Sequence, residues 1–241
     1  ILAKALTNQD VERVYHDTKA PSTDLIAHWQ MDGNGDDLSG NGNKADLVNL
    51  TPTSDRFCNR NGALYFDGHS SYATVADNLA LRLSNVDFTF NAWVKMEAYH
   101  SSYGSNILSK HIAGKNNGWG WSICGFASPA TGPLFYGPGG GSINAVGRTV
   151  ISLGKWHMVT SVYKHSTKTL SHYVDGHLDN STSGILPSNA AITAPLYIGK
   201  DDATNSYYFN GAMDDIRIYT KGLSSFDISQ LYNTSKGGCF Q

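Results

Sequence analysis

Glutamate is nearly missing from this 241-residue sequence, which contains only Glu12 and Glu97. Retaining glycoside hydrolysis needs two carboxyl groups about 5 Å apart, and these two glutamates are widely separated in the chain. The doublets Asp201-Asp202 and Asp214-Asp215 are not expected to replace them, because neighbouring residues of a strand point to opposite faces. The sequence also lacks a Gly-x-Ser-x-Gly motif and a His-Glu-x-x-His motif. We therefore predict that the chain is not an enzyme.

Excess charge and long apolar runs are missing too. The 18 Lys and Arg residues nearly balance the 20 Asp and Glu residues, so the field that attracts nucleic acid or anionic lipid is absent. No segment has the roughly 20 apolar residues of a membrane span. These absences predict no nucleic-acid partner and no membrane insertion. The three cysteines, Cys58, Cys124 and Cys239, are too few for a disulfide scaffold.

Short strands and turns dominate what is present. The 25 glycines and 13 tyrosines favour strands and turns over helices. From residue 25 onward, alternating segments such as FTFNAWVKM and KWHMVTSVYK are separated by turn-forming segments such as DGNGDD and GPGGG. About a dozen strands without a long helical pattern predict a sandwich of two antiparallel sheets.

Helical spacing is confined to the two ends of the sequence. Residues 7–16 and 224–233 place apolar side chains three and four positions apart, and each segment begins with Thr or Ser. We predict one short helix in each segment. A linker at residues 19–24, interrupted by Pro21, divides the chain into residues 1–22 and a main domain at 23–241.

The two ends also resemble each other, since Lys4, Leu6, Asp10, Tyr15 and Lys19 align with identical residues near the C-terminus. One interpretation is that residues 1–19 are the tail of a preceding module. The alternatives are a chance amphipathic helix, or a helix that packs on the main domain.

The main domain resembles the laminin G-like jelly rolls of the concanavalin A-like lectin/glucanase superfamily. Nine segments carry the resemblance in order over about residues 25–233, among them GALYFDGHSSYATV, LGKWHMVTSVYK, LSHYVDGHL and FNGAMDDIRIYTKGLSSFDISQLY. The resemblance implies an all-β, two-sheet antiparallel jelly roll with short terminal helices.

A structural calcium ion is a further expectation. The loop QMDGNGDDLSGNGN is rich in the oxygen donors and glycines that a hard cation requires. Related jelly rolls often hold calcium between this loop and the penultimate strand, and the resemblance implies Asp32 and Asp214 as ligands, with carbonyl groups near Gly40 and Asn43. The alternative is that these aspartates cap turns or pair with Arg217.

Loop aromatic residues suggest a surface for ligands. Flat apolar rings beside amide and amine donors are typical of sugar recognition. We predict a shallow groove lined by Tyr103, Trp119 and Tyr136, with Lys115 and Asn117 as polar partners. For each aromatic residue taken alone, the alternative is ordinary core packing.

The sequence thus predicts a non-catalytic carbohydrate-binding module of a secreted, periplasmic or cell-surface polysaccharide-handling protein. Its expected partners are a polysaccharide or another glycan, and other domains of the same polypeptide. Two alternatives remain open, because a fold does not determine a function. One is a protein-interaction or adhesion module, and the other is a structural accessory domain of a larger multidomain enzyme.

Overall fold

The computed structural model describes residues 24–100, 104–112, 117–123, 132–136, 145–185, 192–204 and 207–238. The predicted N-terminal helix at residues 7–16 and the proposed domain boundary after residue 22 lie outside these residues. In the first half of the described chain the strands are β1 (Leu25–Trp29), β2 (Ala45–Val48), β3 (Thr51–Thr53), β4 (Ala63–Asp67), β5 (Tyr72–Val75), β6 (Phe88–Met96), β7 (Ser105–Lys110) and β8 (Trp119–Ile123).

The second half adds seven strands and the α-helix. They are β9 (Pro133–Tyr136), β10 (Ala145–Val146), β11 (Trp156–Lys164), β12 (Thr169–Val174), β13 (His177–Ser183), β14 (Leu196–Ile198), β15 (Asn210–Tyr219) and α1 (Ser225–Ser235). A short 3-10 helix, Leu79–Arg82, lies between β5 and β6. None of the helices in the described parts of the chain is long and apolar enough to cross a bilayer.

Two antiparallel sheets pack face to face, as the sequence predicted. The eight-stranded sheet has the order β13-β12-β11-β6-β15-β4-β3, and β1 also pairs with β15. The seven-stranded sheet has the order β10-β9-β8-β7-β14-β5-β2. Because strands distant in sequence are neighbours in both sheets, this arrangement is consistent with a jelly roll and confirms the predicted fold class.

The main core lies between the sheets and contains alternate residues of their strands. Phe90 of β6 packs against two residues of β8, with ring centroids 4.7 Å from Trp119 and 5.6 Å from Trp121. All three side chains are buried. Large aromatic rings remove much apolar area from water, so these contacts hold the two sheets together.

A second apolar cluster covers the side of the eight-stranded sheet that points away from the main core. Trp93 of β6 stacks on Tyr232 of α1 with centroids 5.8 Å apart, and its Nε1 donates to Ser235 Oγ. The helix begins with the predicted cap, because Ser224 and Asp227 form a capping box. The predicted C-terminal helix is therefore confirmed, and it covers this side of the sheet.

A bulge in β15 changes the geometry of the Asp214-Asp215 doublet. The pairing of β15 with β6 shifts register after Asp214, and Asp215 has a φ of 52°. Both carboxylates accept hydrogen bonds from the same guanidinium, that of Arg56. The expectation that the doublet points to opposite faces is wrong here, because an irregular residue interrupts the alternation.

Candidate functional site

A continuous row of side chains crosses the outer face of the seven-stranded sheet. Alternation turns the apolar residues of each strand inward and their neighbours outward. Cross-strand pairing then aligns six outward residues, which in order are Tyr136, Gly120, Ser109, Tyr197, Thr74 and Asp46. We call this surface the outer face. The row carries phenol, hydroxyl and carboxyl groups on a regular scaffold.

Gly120 makes room for the ring of Tyr136. A Cβ atom on this glycine would lie 1.9 Å from Tyr136 Cζ, so any other residue would displace the ring. The ring therefore lies flat over β8, and its hydroxyl group reaches Asn106 Oδ1 at 2.8 Å and also Asp201 Oδ1. The single phenolic proton is best donated to the carboxylate, which is the stronger acceptor.

Asp201 lies at the centre of a polar group that we call the Asp201 cluster: Asn106, His111, Tyr136 and Asp201. His111 Nε2 lies 2.8 Å from Asp201 Oδ1, and the Asp201 side chain is only about 5 % exposed. Burial alone would lower the pKa of His111, but the hydrogen bond and the charges of Asp201 and Asp202 more than offset it, so the pKa is raised. Burial and the charge of Asp201 raise the pKa of Tyr136 well above its usual range.

Three tyrosines extend the outer face beyond the Asp201 cluster. The ring centroid of Tyr72 lies 6.1 Å from that of Tyr197 and 6.4 Å from that of Tyr208. Tyr72 and Tyr208 are half-buried, so part of each ring meets solvent. We call these residues the tyrosine cluster. Rings of this kind can pack against the C–H face of a sugar.

The predicted groove residues have separate locations. Tyr136 lies in the Asp201 cluster, whereas Asn117 accepts a hydrogen bond from the Ile112 backbone amide between β7 and β8. Trp119 is a strand residue of the core with 1 % of its surface exposed, and its indole donates to the Leu81 carbonyl. A ring so enclosed cannot stack on a sugar, so its predicted place in a loop is wrong. Tyr103 and Lys115 lie outside the described residues.

Strand periodicity explains the error at Trp119. The segment WGWSI places Trp119, Trp121 and Ile123 on one face of β8, with Gly120 and Ser122 on the other. The small residues at alternate positions of this segment therefore indicate which of its residues lie on the outer face. Asp201 and His111 were visible only as residues beside turns, because their contact joins positions 90 residues apart in the sequence.

The predicted calcium ligands do not form one set of free oxygen donors. Asp214 is paired with Arg56, so a calcium ion at that carboxylate would lie beside a buried positive charge. The Asn43 carbonyl accepts from Trp29 Nε1 at 2.7 Å, and the Asn43 amide donates to Asp37 at 2.8 Å. Gly40 is exposed in the same loop. This geometry does not fit a shared site at Asp214.

Burial raises the pKa of Asp214 well above its usual range, and the charge of Asp32 adds to this rise. Among the described residues, no group of three or more His, Cys, Asp or Glu side chains is arranged to hold a metal ion. Backbone and amide oxygens can also bind calcium. Calcium binding by this chain therefore stays a prediction.

A serine, a histidine and an aspartate also meet away from the outer face. Ser152 Oγ lies 2.7 Å from His157 Nε2, and His157 Nδ1 lies 2.8 Å from Asp175 Oδ2. Acyl transfer also needs amide donors for an oxyanion. The amides of Arg148, Thr149 and Gly154 in the same segment instead donate to protein oxygens. Asp175, in the β12–β13 turn, also accepts a hydrogen bond from the Met158 amide, so the trio links this turn to β11.

Comparison with known proteins identifies the family of the domain. The model of the laminin G-like group described as the concanavalin A-like lectin/glucanases superfamily matches residues 66–229, more than half of the chain. No protein with a curated description matches the sequence.

Solved structures share the fold at low sequence identity. Domain 4 of AbnA, a GH43 extracellular arabinanase from Geobacillus stearothermophilus, in complex with arabinotriose, has a TM-score of 0.69 and 18 % identity, over 87 % of this chain and 98 % of that domain. The binding domain of botulinum neurotoxin DC matches in complex with SialylT (TM-score 0.63, 16 % identity) and with rat synaptotagmin II (0.64, 14 %). This chain is covered over 88 % in both matches, but it spans only 52 % of the toxin domain.

Proposed function

The chain belongs to the laminin G-like family of the concanavalin A-like lectin/glucanase superfamily, and from that premise we propose that it is a non-catalytic carbohydrate-binding module. The observation that carries the proposal is the outer face of the seven-stranded sheet. There the partly exposed Tyr136, which is hydrogen-bonded to the buried Asp201, lies on the same side of the sheet as the partly exposed rings of Tyr72 and Tyr208. A glycan requires both, because its hydroxyl groups need polar partners and its ring faces are apolar.

The similar structures support binding rather than catalysis. One is an arabinanase domain in complex with arabinotriose, and another is a toxin binding domain in complex with SialylT. Their identity to this chain is below one fifth, so the proposed sugar site rests on the residues of this chain.

A secreted or cell-surface location is part of the proposal. Cys58 is disulfide-bonded, and disulfides persist in oxidising compartments. Such a location would bring the module into contact with polysaccharides. We also propose that the module is joined to other domains of the same polypeptide.

A protein-interaction module is the second candidate. The observation that favours it is the similar toxin domain in complex with rat synaptotagmin II. The accessory-domain alternative predicts no ligand on the outer face.

A titration against a panel of soluble polysaccharides tests the proposed function. The test variant is Tyr136→Phe, which removes only the hydroxyl group that contacts Asp201. The matched control is Tyr65→Phe, because Tyr65 donates to Glu97 from the eight-stranded sheet. We expect Tyr136→Phe to weaken glycan binding about tenfold, since its hydrogen bond is charge-assisted, and Tyr65→Phe to bind like the wild type.

Equal binding by the wild type and Tyr136→Phe would remove the Asp201 cluster from the site. Absence of binding to every polysaccharide would contradict the proposed function and favour the protein-interaction module. Circular dichroism and melting temperatures should be matched before the affinities are compared.

A fluorophosphonate probe tests the non-catalytic part of the proposal. We expect no covalent labelling, because the amides of Arg148, Thr149 and Gly154 already donate to protein oxygens. Labelling of the wild type that is lost in Ser152→Ala would show that the trio is a working nucleophile.

Calcium is a separate proposal from the sequence. A bound ion stabilises the folded state by mass action, so EDTA should lower the melting temperature if calcium is bound, and added calcium should restore it. An unchanged melting temperature would leave Arg56 as the charge partner of Asp214.

A further inference from the structure

The tyrosine cluster surrounds a lysine ammonium group. Lys200 follows β14, and its Nζ lies 4.8 Å from the ring centroid of Tyr72, 5.5 Å from that of Tyr208 and 5.6 Å from that of Tyr197. Only 9 % of the residue is exposed. Three aromatic rings thus converge on one ammonium group at distances typical of cation–π contacts.

This ammonium group has no oxygen partner among the residues that the structure describes. The buried Lys110 shows the contrast, since its Nζ pairs with Asp77 and also donates to the Ala194 carbonyl. The two acidic residues after Lys200 are engaged elsewhere: Asp201 contacts His111, and Asp202 accepts the Thr204 amide. Aromatic rings accept no conventional hydrogen bond from all three N–H groups, so donors of this ammonium group are available to a ligand.

Lys200 Nζ lies beside tyrosine rings that belong to the outer face. Tyr72 and Tyr197 lie on adjacent strands of the seven-stranded sheet, and Tyr197 belongs to the same row as Tyr136. The rings of Tyr72 and Tyr208 are half-exposed beside the ammonium group. A sugar ring packed on either face would bring a substituent close to Nζ.

We propose that Lys200 and the tyrosine cluster form a subsite for an acidic sugar. An anionic substituent, carboxylate or sulfate, accepts hydrogen bonds from Nζ while the sugar ring packs against Tyr72 or Tyr208. The inference rests on the proposed carbohydrate-binding function and names the class of sugar. Neutral residues of the same glycan would contact the Asp201 cluster.

The test uses pairs of saccharides that differ in the acidic group. The pairs are oligogalacturonide and its methyl ester, sialyllactose and lactose, and a sulfated glycosaminoglycan fragment and its desulfated form. Calorimetry is done with wild type, Lys200→Met and Lys236→Met. Lys236→Met is the matched control, because its Nζ lies 5.5 Å from the Tyr232 ring, outside the outer face.

We expect the wild type to bind the acidic member of at least one pair about tenfold more tightly than the neutral member. Lys200→Met should lose this preference and keep the affinity for the neutral member, because methionine retains the apolar stem. Lys200→Arg should keep the preference, and Lys236→Met should behave like the wild type. Rising salt should reduce the preference.

Equal affinity for both members of every pair would overturn the acidic subsite while leaving the proposed function intact. Preference that persists in Lys200→Met would overturn the role of Lys200. Failure of the wild type to bind any saccharide would contradict the proposed function itself. If Lys200→Met has a lowered melting temperature, a folded Lys200→Gln variant decides between these outcomes.

Discussion

Asp201 serves two neighbours that respond differently to pH. It accepts a hydrogen bond from the Tyr136 hydroxyl group, which stays protonated because its pKa is raised. It also contacts His111 and favours the protonated form of that histidine. This arrangement keeps one buried carboxylate oriented on the outer face.

The raised pKa of His111 predicts a pH-dependent stability. A histidine whose pKa is higher in the folded state contributes stability that is fully present below its unfolded value of about 6.5. That contribution is lost as the pH rises through the folded pKa. We expect the melting-temperature difference between wild type and His111→Gln to be largest near pH 5.5 and to shrink by pH 8.5.

The variant Asp201→Asn provides the check on this mechanism. It removes the charge that favours protonated His111, so its melting temperature should change less with pH than that of the wild type. A constant difference between wild type and His111→Gln at every pH would contradict the prediction.

Trp119 is a core residue whose removal should be costly. It is 1 % exposed and packs on Phe90. Trp119→Ala should lower the free energy of unfolding by about 3–5 kcal/mol through lost contacts and a cavity. Phe226→Ala, at a residue 69 % exposed on α1, should change it by no more than about 0.5 kcal/mol.

Urea unfolding measures both values. A small loss for Trp119→Ala, together with weakened glycan binding, would restore the sequence prediction that this ring lines a groove.

At the scale of elements, Arg56 joins the loop after β3, strand β15 and helix α1. Its Nε donates to the Ser235 carbonyl at 2.6 Å, its other nitrogens contact Asp214 and Asp215, and its guanidinium lies 5.0 Å from the Trp93 ring. Burial would raise the pKa of Asp215, but Arg217, Arg56 and His28 hold it well below its usual range. The bulge of β15 makes this double contact possible.

Arg56→Met should therefore destabilise the protein by about 3–5 kcal/mol, because it leaves buried carboxylates without this partner. Lys44→Met is the control, since it removes a lysine whose pair with Asp36 is exposed and should barely change stability. Guanidinium chloride unfolding compares the two variants. Losses of equal size would show that the buried network has no special role.

At the scale of the whole molecule, the two sides of the sandwich differ in what lies on them. Helix α1 packs on Trp93 and its neighbours and so covers the side of the eight-stranded sheet that points away from the main core. The outer face of the seven-stranded sheet carries the polar row and the tyrosine cluster. One side is thus covered by the helix, and the other carries the binding surface that we propose.

The disulfide at Cys58 should stabilise the whole fold. Reduction should lower the free energy of unfolding by about 2–4 kcal/mol, because a cross-link restricts the unfolded chain. The reductant should have no such effect on Cys58→Ser. Non-reducing peptide mapping would identify the partner as Cys124 or Cys239, and a free thiol at Cys58 would contradict the prediction.

The sequence by itself determined the class of fold and several of its local features. Alternation and turn residues predicted two antiparallel sheets, and the Ser224 cap predicted helix α1. These features depend on neighbouring residues, so local physical chemistry is sufficient to predict them. The same alternation in WGWSI was sufficient to predict that the Trp119 side chain points into the core.

Only the tertiary structure decided which distant residues meet. Arg56 and Asp214 are 158 positions apart, and Asp201 is 65 positions from Tyr136. The bulge at Asp215 could not be predicted from the doublet, because the pairing with β6 and the buried guanidinium stabilise that backbone conformation. Contacts of this kind depend on strand order and register. The sequence of one strand does not indicate which distant strand will pair with it.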